Sequence, residues 1–289
     1  MRRSMLFMPG NNPGMLLNAG IHGADGIIFD LEDAVAPQDK DAARILVRYA
    51  LESINYPCQM FVRVNDVTSE YWEKDIREIV CPQLAGLVIP KAQKKEDIQR
   101  MDALVTEMEK ERGVPAGQIL FMLLVETSLG VENAFELAVS SPRVESLALG
   151  AVDLAIDLHS MITPEGGVPM LYPRSRLLGA ARAAGICIYD TSFTNVDDLD
   201  ALRKDCIRAK ELGYDGRPII FPAHVPIVNE IFSPTQEEID YSYEVIEILD
   251  KAAQEKKFAA RLHGKMVDAA NYKRAKMVVE MVESWKGGK

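Results

Sequence analysis

The sequence predicts a (β/α)8 barrel followed by a C-terminal helical extension. Three observations carry that prediction: eight short apolar runs, amphipathic stretches between them, and a charged residue closing or following five successive runs. The runs are Ser4–Met8, Gly26–Leu31, Met60–Val64, Gly86–Pro90, Ile119–Val125, Ser146–Gly150, Cys187–Tyr189 and Pro218–Phe221. They are continuous rather than alternating, as expected of parallel strands covered on both faces.

The connections read as helices. Ala42, Ile45, Leu46 and Tyr49 recur at helical spacing after the second run. Ile98, Met101, Leu104, Val105 and Met108 do so after the fourth, and Leu199, Leu202, Cys206 and Ala209 after the seventh. Gly113 before Pro115, Gly185 after Ala184, and Gly213 supply stop signals. A doubly wound sheet is the competing architecture, weakened because no G-x-G-x-x-G follows any run. After Phe232 the pattern changes. Ser233-Pro234-Thr235-Gln236-Glu237-Glu238 reads as a helix start with a capping box from Thr235 to Glu238. The rest of the chain reads as helices without a strand. Residues 1–232 are therefore expected to form the barrel. Residues 233–289 are expected to cover its mouth or reach a neighbouring subunit.

The 289 residues carry 33 Lys+Arg against 43 Asp+Glu, a formal charge of −10, which argues against general binding to nucleic acid or an anionic membrane. No run approaches the ~18 apolar residues needed to span a bilayer. The apolar stretch after Arg2-Arg3 ends at Pro9-Gly10, too short for a secretory signal. Cys58, Cys81, Cys187 and Cys206 form no C-x-x-C pair and read as reduced thiols of a cytoplasmic protein.

Function is expected at the strand ends. Asp30, Glu32 and Asp33 close the second run, Arg63 the third, Lys91 the fourth and Glu126 the fifth, and Asp153 follows the sixth. Successive intervals from Asp30 to Arg63, Lys91, Glu126 and Asp153 are 33, 28, 35 and 27 residues, each about one βα unit. In a barrel these ends converge on one face, where barrel enzymes carry their sites. A lone strand-end acid is ordinarily a helix cap or a solvated group; five successive charged ends point to a site.

Clustered carboxylates suit Mg2+ or Mn2+, which takes one or two carboxylates and leaves other positions to water and substrate. Arg63 offers a planar fork for a substrate carboxylate. No His lies at a strand end before Pro222, which disfavours a His-based zinc site. Ser4, Ser128 and Ser192 lack a nucleophile elbow. Such a set suits carbon–carbon bond chemistry through a stabilised enolate. Lys91 as a Schiff-base nucleophile is the less favoured route, an ion pair among the carboxylates its expected role.

The segments Arg3–Gly10, Phe29–Val35, Arg63-Val64-Asn65, Pro90-Lys91, Val125-Glu126-Thr127, Leu149–Asp153, Pro164-Glu165-Gly166 and Gly264–Asp268 resemble, in order and over nearly the whole chain, the HpcH/HpaI aldolase superfamily. That superfamily includes citrate lyase β subunits and the malyl-CoA and citramalyl-CoA lyases. The resemblance implies a barrel with C-terminal helices packed on a neighbouring subunit, in a homo-oligomer such as a trimer or hexamer. It implies Mg2+ on Glu126 and Asp153, and Arg63 and Glu126 on substrate, with Lys91 near them. Asp268 matches an acid extended into an adjacent active site. Asp30 and Asp33 join Arg63, Glu126 and Asp268 as candidate catalytic residues, and with Glu32 are expected to orient bound water and Arg63. The family's Ala-Glu-Asp is Ala151-Val152-Asp153 here, and its Glu-Ser is Glu126-Thr127.

The implied reaction is cleavage of a 3-hydroxy acyl thioester, carried on CoA or an acyl carrier protein, to an acetyl thioester and a 2-oxo acid. Other citrate lyase subunits are potential partners. Arg174, Arg176 and Arg182 are candidates for CoA phosphates or carrier docking. A non-catalytic barrel subunit and a phosphoenolpyruvate-type mutase or lyase are the competing readings.

Overall fold

In a computed structural model describing residues 2–161 and 167–286, every one of the eight apolar runs is a strand. They are β1 (Ser4–Pro9), β2 (Gly26–Asp30), β3 (Gln59–Arg63), β4 (Gly86–Ile89), β5 (Leu120–Val125), β6 (Val144–Leu149), β7 (Cys187–Tyr189) and β8 (Arg217–Ile219). All pair in parallel, in the order β7-β6-β5-β4-β3-β2-β1-β8. The two outer strands meet through a bridge between Tyr189 and Gly216. Beside it, the Asp190 N–H donates to the Gly216 carbonyl and the Asp215 N–H to that of Ile188, both at 3.0 Å. This seam nearly closes the sheet into a barrel, so the doubly wound alternative fails. Gly216 is required there, because a Cβ would lie 2.3 Å from the Arg3 carbonyl oxygen.

The connecting helices are α1 (Pro13–Asn18), α2 (Lys40–Ser53), α3 (Trp72–Ile79), α4 (Lys95–Arg112), α5 (Ser128–Glu132), α6 (Ala134–Ala138), α7 (Ala151–Asp157), α8 (Leu171–Ala184), α9 (Leu199–Leu212) and α10 (Val225–Phe232). The α4 stripe is buried as its periodicity predicts. The α2 helix forms, but with a different face inward. It buries Lys40, Ala43, Arg44, Val47, Ala50 and Leu51, whereas Ile45 is 47% and Tyr49 64% exposed. Two charged residues sit in the buried stripe because each finds partners there, which a pattern of apolar residues alone cannot reveal.

Strand side chains alternate. Leu6, Ile27, Phe29, Met60, Val62, Leu87, Ile89, Leu123, Leu147 and Ile188 point outward into a core shared with the helices. Met5, Ile28, Phe61, Val88, Met122, Leu124, Ala148 and Tyr189 form a separate cluster, the barrel interior. Arg2 plugs its base, paired with Glu145 at 2.8 Å and stacked 4.5 Å from the Phe61 ring.

The contacts divide the chain into two units, Arg2–Phe232 and the segment from Ser233 on. The second holds α11 (Gln236–Gln254), β9 (Ala259–Leu262), β10 (Lys265–Asp268) and α12 (Ala269–Lys286). The capping box is present: Thr235 Oγ1 accepts from the Glu238 N–H at 3.1 Å, and Glu238 Oε2 from the Thr235 N–H at 2.8 Å. The expectation of helices alone is corrected, since β9 and β10 pair antiparallel. Their two-residue turn, His263-Gly264, has φ of 45° and 80°, the doubly left-handed geometry of a tight hairpin. Val267 from this hairpin packs with Val245, Leu249 and Ala275.

Candidate active site

The strand alternation that fills the interior also builds the site. Two residues beyond Met5, Ile28, Phe61, Leu124, Ala148 and Tyr189 stand Phe7, Asp30, Arg63, Glu126, Gly150 and Thr191. All six line one cavity of 480 Å³ at the C-terminal ends of the strands. The barrel thus gathers Asp30, Arg63 and Glu126 from three strands, with Asp33 and Asp153 from the loops and helix that follow.

Asp30 and Arg63 are paired in register on β2 and β3. The guanidinium grips the carboxylate through Nε at 2.7 Å and Nη2 at 2.5 Å. Its Nη1 lies 3.0 Å from Glu32 and 3.9 Å from Asp33. Burial works against the charge on Arg63, but the hydrogen bond and charge of Asp30 outweigh it, so the pKa rises and the cation is permanent. The fork expected to face substrate is therefore held by Asp30. Asp30 also accepts from the Glu32 N–H at 2.9 Å and the Ala34 N–H at 3.1 Å, which makes it the organiser of the loop. Asp33 stays 62% exposed at the cavity edge.

Lys91 follows β4 with φ of 49°, and its Nζ meets Glu32 at 2.9 Å. Burial lowers its pKa, but the Glu32 hydrogen bond and charge prevail and raise it. A charged amine is a poor nucleophile, so this geometry favours the ion-pair role. Its backbone N–H donates to Glu126 Oε1 at 2.8 Å.

Glu126 is 2% exposed. Burial pushes its pKa up to about 8, with the charges of Glu32 and Asp153 adding to the rise and the Lys91 N–H and Arg63 opposing it. Asp153 is half-buried on the first turn of α7. Gly150 makes the room for Glu126: a Cβ there would lie 2.5 Å from Glu126 Oε2.

No group of three or more His, Cys, Asp and Glu side chains placed to hold a metal occurs among the described residues. A closed protein cage is therefore absent from this part of the chain. The donor set still fits Mg2+, which takes one or two carboxylates and keeps waters or substrate oxygens for the rest. Glu126 and Asp153, both in the cavity lining, are carboxylates of the kind such a site needs. Among the described residues no cationic side chain hydrogen-bonds the buried Glu126, and its neighbours Glu32 and Asp153 disfavour its charge. A bound cation would reverse that penalty.

Residues the sequence did not signal complete the cavity. Pro9, Ser192, Thr194, Pro218 and Ile220 form its hydroxyl-bearing and apolar wall. Only Pro9, two steps past Phe7, shares the strand-alternation signal; the others belong to the segment after β7 and to β8 and its end, and become visible only once the fold is known. Thr191 Oγ1 accepts from the Ala151 N–H at 3.1 Å, tying the end of β7 to the start of α7.

Other candidates are placed elsewhere. Asp268 ends β10, half-buried, in the C-terminal unit. It caps α12, accepting from the Ala270 N–H at 3.0 Å and the Asn271 N–H at 3.3 Å. Of the suggested basic residues, Arg174 is corrected, being buried and ion-paired, while Arg176 stays partly exposed and Arg182 exposed. Arg174 is 3% exposed and paired with Asp190 and Asp205, Arg176 binds the Glu132 carbonyl, and Arg182 pairs with Asp215. Helix α8 places these three arginines among acids and carbonyls of neighbouring segments. Pro164-Glu165-Gly166 lies outside the described residues.

Comparison with known proteins fits this geometry. The family model described as HpcH/HpaI aldolase/citrate lyase matches residues 3–222. The citrate lyase subunit beta of Leuconostoc mesenteroides subsp. cremoris is 38% identical over 285 residues, 98% of this chain and 94% of that protein. The L-malyl-CoA/beta-methylmalyl-CoA lyase of Cereibacter sphaeroides is 29% identical over 301 residues, 97% of this chain and 94% of that protein. Among solved structures, the CitE protein of Mycobacterium tuberculosis, in complex with magnesium, acetoacetate and coenzyme A, is 25% identical with a TM-score of 0.76, covering 96% of this chain and 97% of that one.

Proposed function

The chain belongs to the HpcH/HpaI aldolase/citrate lyase family, and from that premise we propose that it is a Mg2+-dependent lyase that splits a 3-hydroxy acyl thioester of the citryl type into an acetyl thioester and a 2-oxo acid such as oxaloacetate. The observation that carries this reading is the convergence of Glu126, Asp153 and Arg63 on one cavity at the C-terminal mouth of the barrel.

Glu126 and Asp153 would hold the cation. When bound, it supplies Lewis acidity to the hydroxyl and carboxylate oxygens of the oxo-acid half. Arg63, fixed by Asp30 and Glu32, places its positive charge beside the same carboxylate and compensates charge near the breaking bond. Glu32 and Lys91 form a neutral pair beside it. Cleavage moves the hydroxyl proton to a base and leaves the C–C electron pair on the acetyl fragment, whose carbon then takes a proton. We assign that proton transfer to Asp268, on the resemblance of Gly264–Asp268 to the family pattern, acting in the site of a neighbouring subunit of a homo-oligomer.

A CoA-borne malyl or citramalyl thioester is the second reading. It is favoured by the malyl-CoA lyase relative and by the coenzyme A in the mycobacterial structure. An acyl carrier protein and further citrate lyase subunits are the partners under the first reading, supported by the citrate lyase relative. No described helix is long and apolar enough to cross a membrane, and all four cysteines are free, which supports a reducing, cytoplasmic setting. The test is a panel of citryl, citramalyl and malyl thioesters assayed with and without Mg2+. Cleavage of one of them that stops on chelation supports the reading; turnover indifferent to Mg2+ contradicts it.

A further inference from the structure

The loop that carries Glu32 and Asp33 is fixed from behind by a buried ammonium. Lys40, the first residue of α2, is 7% exposed and lies outside the cavity lining. Its Nζ donates to the carbonyls of Leu31 and Glu32, both at 2.8 Å. The Leu31 carbonyl takes a second bond, from Asn65 Nδ2 at 2.9 Å. Asn65 is itself fastened to Asp75 through its backbone N–H at 2.9 Å and its side chain at 2.7 Å. Asp75 is fully buried and paired with Arg44 at 3.0 Å, and the Tyr71 ring lies 5.5 Å from the Lys40 ammonium. Lys40 thus bridges from the start of a helix to two consecutive peptide carbonyls eight and nine residues earlier.

Those carbonyls flank the point that matters to the site. Between the Leu31 and Glu32 oxygens runs the backbone from which the Glu32 carboxylate reaches Lys91 at 2.9 Å and Arg63 at 3.0 Å. The Asp30 carboxylate, holding Arg63, also accepts two amides of this loop. Displacing the two carbonyls would displace Glu32 and disturb the grip on Arg63 together. We propose that Lys40 is a positioning residue for the lyase reaction, setting Glu32 beneath Arg63 and Lys91 through its bonds to the two carbonyls. This rests on the functional reading given above.

The test compares full-length Lys40→Met with Arg143→Met. Arg143 is as buried, pairs with Glu109 and Asp102 at 2.6 Å each, and precedes β6 at the base of the barrel, so its loss should cost stability alone. Hydrogen exchange of the peptide covering 31–35 is read by mass spectrometry, and kcat and KM are measured where circular dichroism shows both variants folded. Lys40→Met should exchange at least about tenfold faster over 31–35 and lose about 10²-fold in kcat, the scale of an ångström misplacement. Arg143→Met should change neither. Unchanged exchange in Lys40→Met overturns the proposal. So does faster exchange with kcat and KM at the wild-type level. If the wild type cleaves no thioester, the functional reading fails, and the exchange result alone decides whether Lys40 fixes the loop.

Discussion

Burial sets the chemistry of Glu126. Burial pushes the folded carboxyl's pKa up to about 8, whereas in the unfolded chain it ionises near 4.5. The unfolded state therefore sheds a proton first as pH rises, and the fold loses stability across that interval. In Glu126→Gln this dependence vanishes. Calorimetry of the metal-free proteins should show the wild type falling behind the variant between pH 5 and 8, by a gap on the order of 5 °C; parallel curves would refute the assigned burial penalty. Arg63 makes a different demand. Arg63→Lys keeps the charge and loses the fork on Asp30, so kcat/KM should drop about 10²-fold in a steady-state assay. A loss confined to melting temperature would reduce Arg63 to a structural ion pair. Both residues were legible in the sequence as charged strand ends. What was not legible was that Asp30 already occupies the Arg63 fork, because pairing across strands depends on register.

At the scale of elements, the barrel strands were legible because both of their faces are buried, leaving continuous apolar runs. The hairpin β9–β10 was not. Its residues are largely exposed, with Met266 75% exposed and Val267 buried, so no apolar run marks it. The turn signal His263-Gly264 was its one local cue. The inward face of α2 was missed for the opposite reason: Lys40 and Arg44 are buried in place of apolar residues. The start of α7 carries its own requirement, since the β6–α7 junction is glycine where Glu126 passes. Gly150→Ala should push the Glu126 carboxylate aside and weaken Mg2+ binding at least about tenfold in titration calorimetry, with far-ultraviolet circular dichroism unchanged. Unaltered affinity would mean that Glu126 does not need the space.

For the whole molecule, the division at Phe232 separates a barrel that gathers Glu126 and Asp153 in one cavity from a C-terminal unit that carries Asp268. A proton donor supplied across subunits predicts complementation. Asp268→Asn and Glu126→Gln, each inactive alone, should regain a fraction of wild-type turnover after subunit exchange; persistent inactivity in verified mixed oligomers would confine Asp268 to capping α12. The central claim is that Glu126 and Asp153 hold one cation that makes thioester cleavage possible. Its most direct measurement is turnover of citryl, citramalyl and malyl thioesters by the chelator-treated chain as Mg2+ is restored, run beside Glu126→Gln and Asp153→Asn. Activity is expected to rise with Mg2+ in the wild type and to be absent from both folded variants. Full activity in either variant, or in the wild type without the cation, would contradict it.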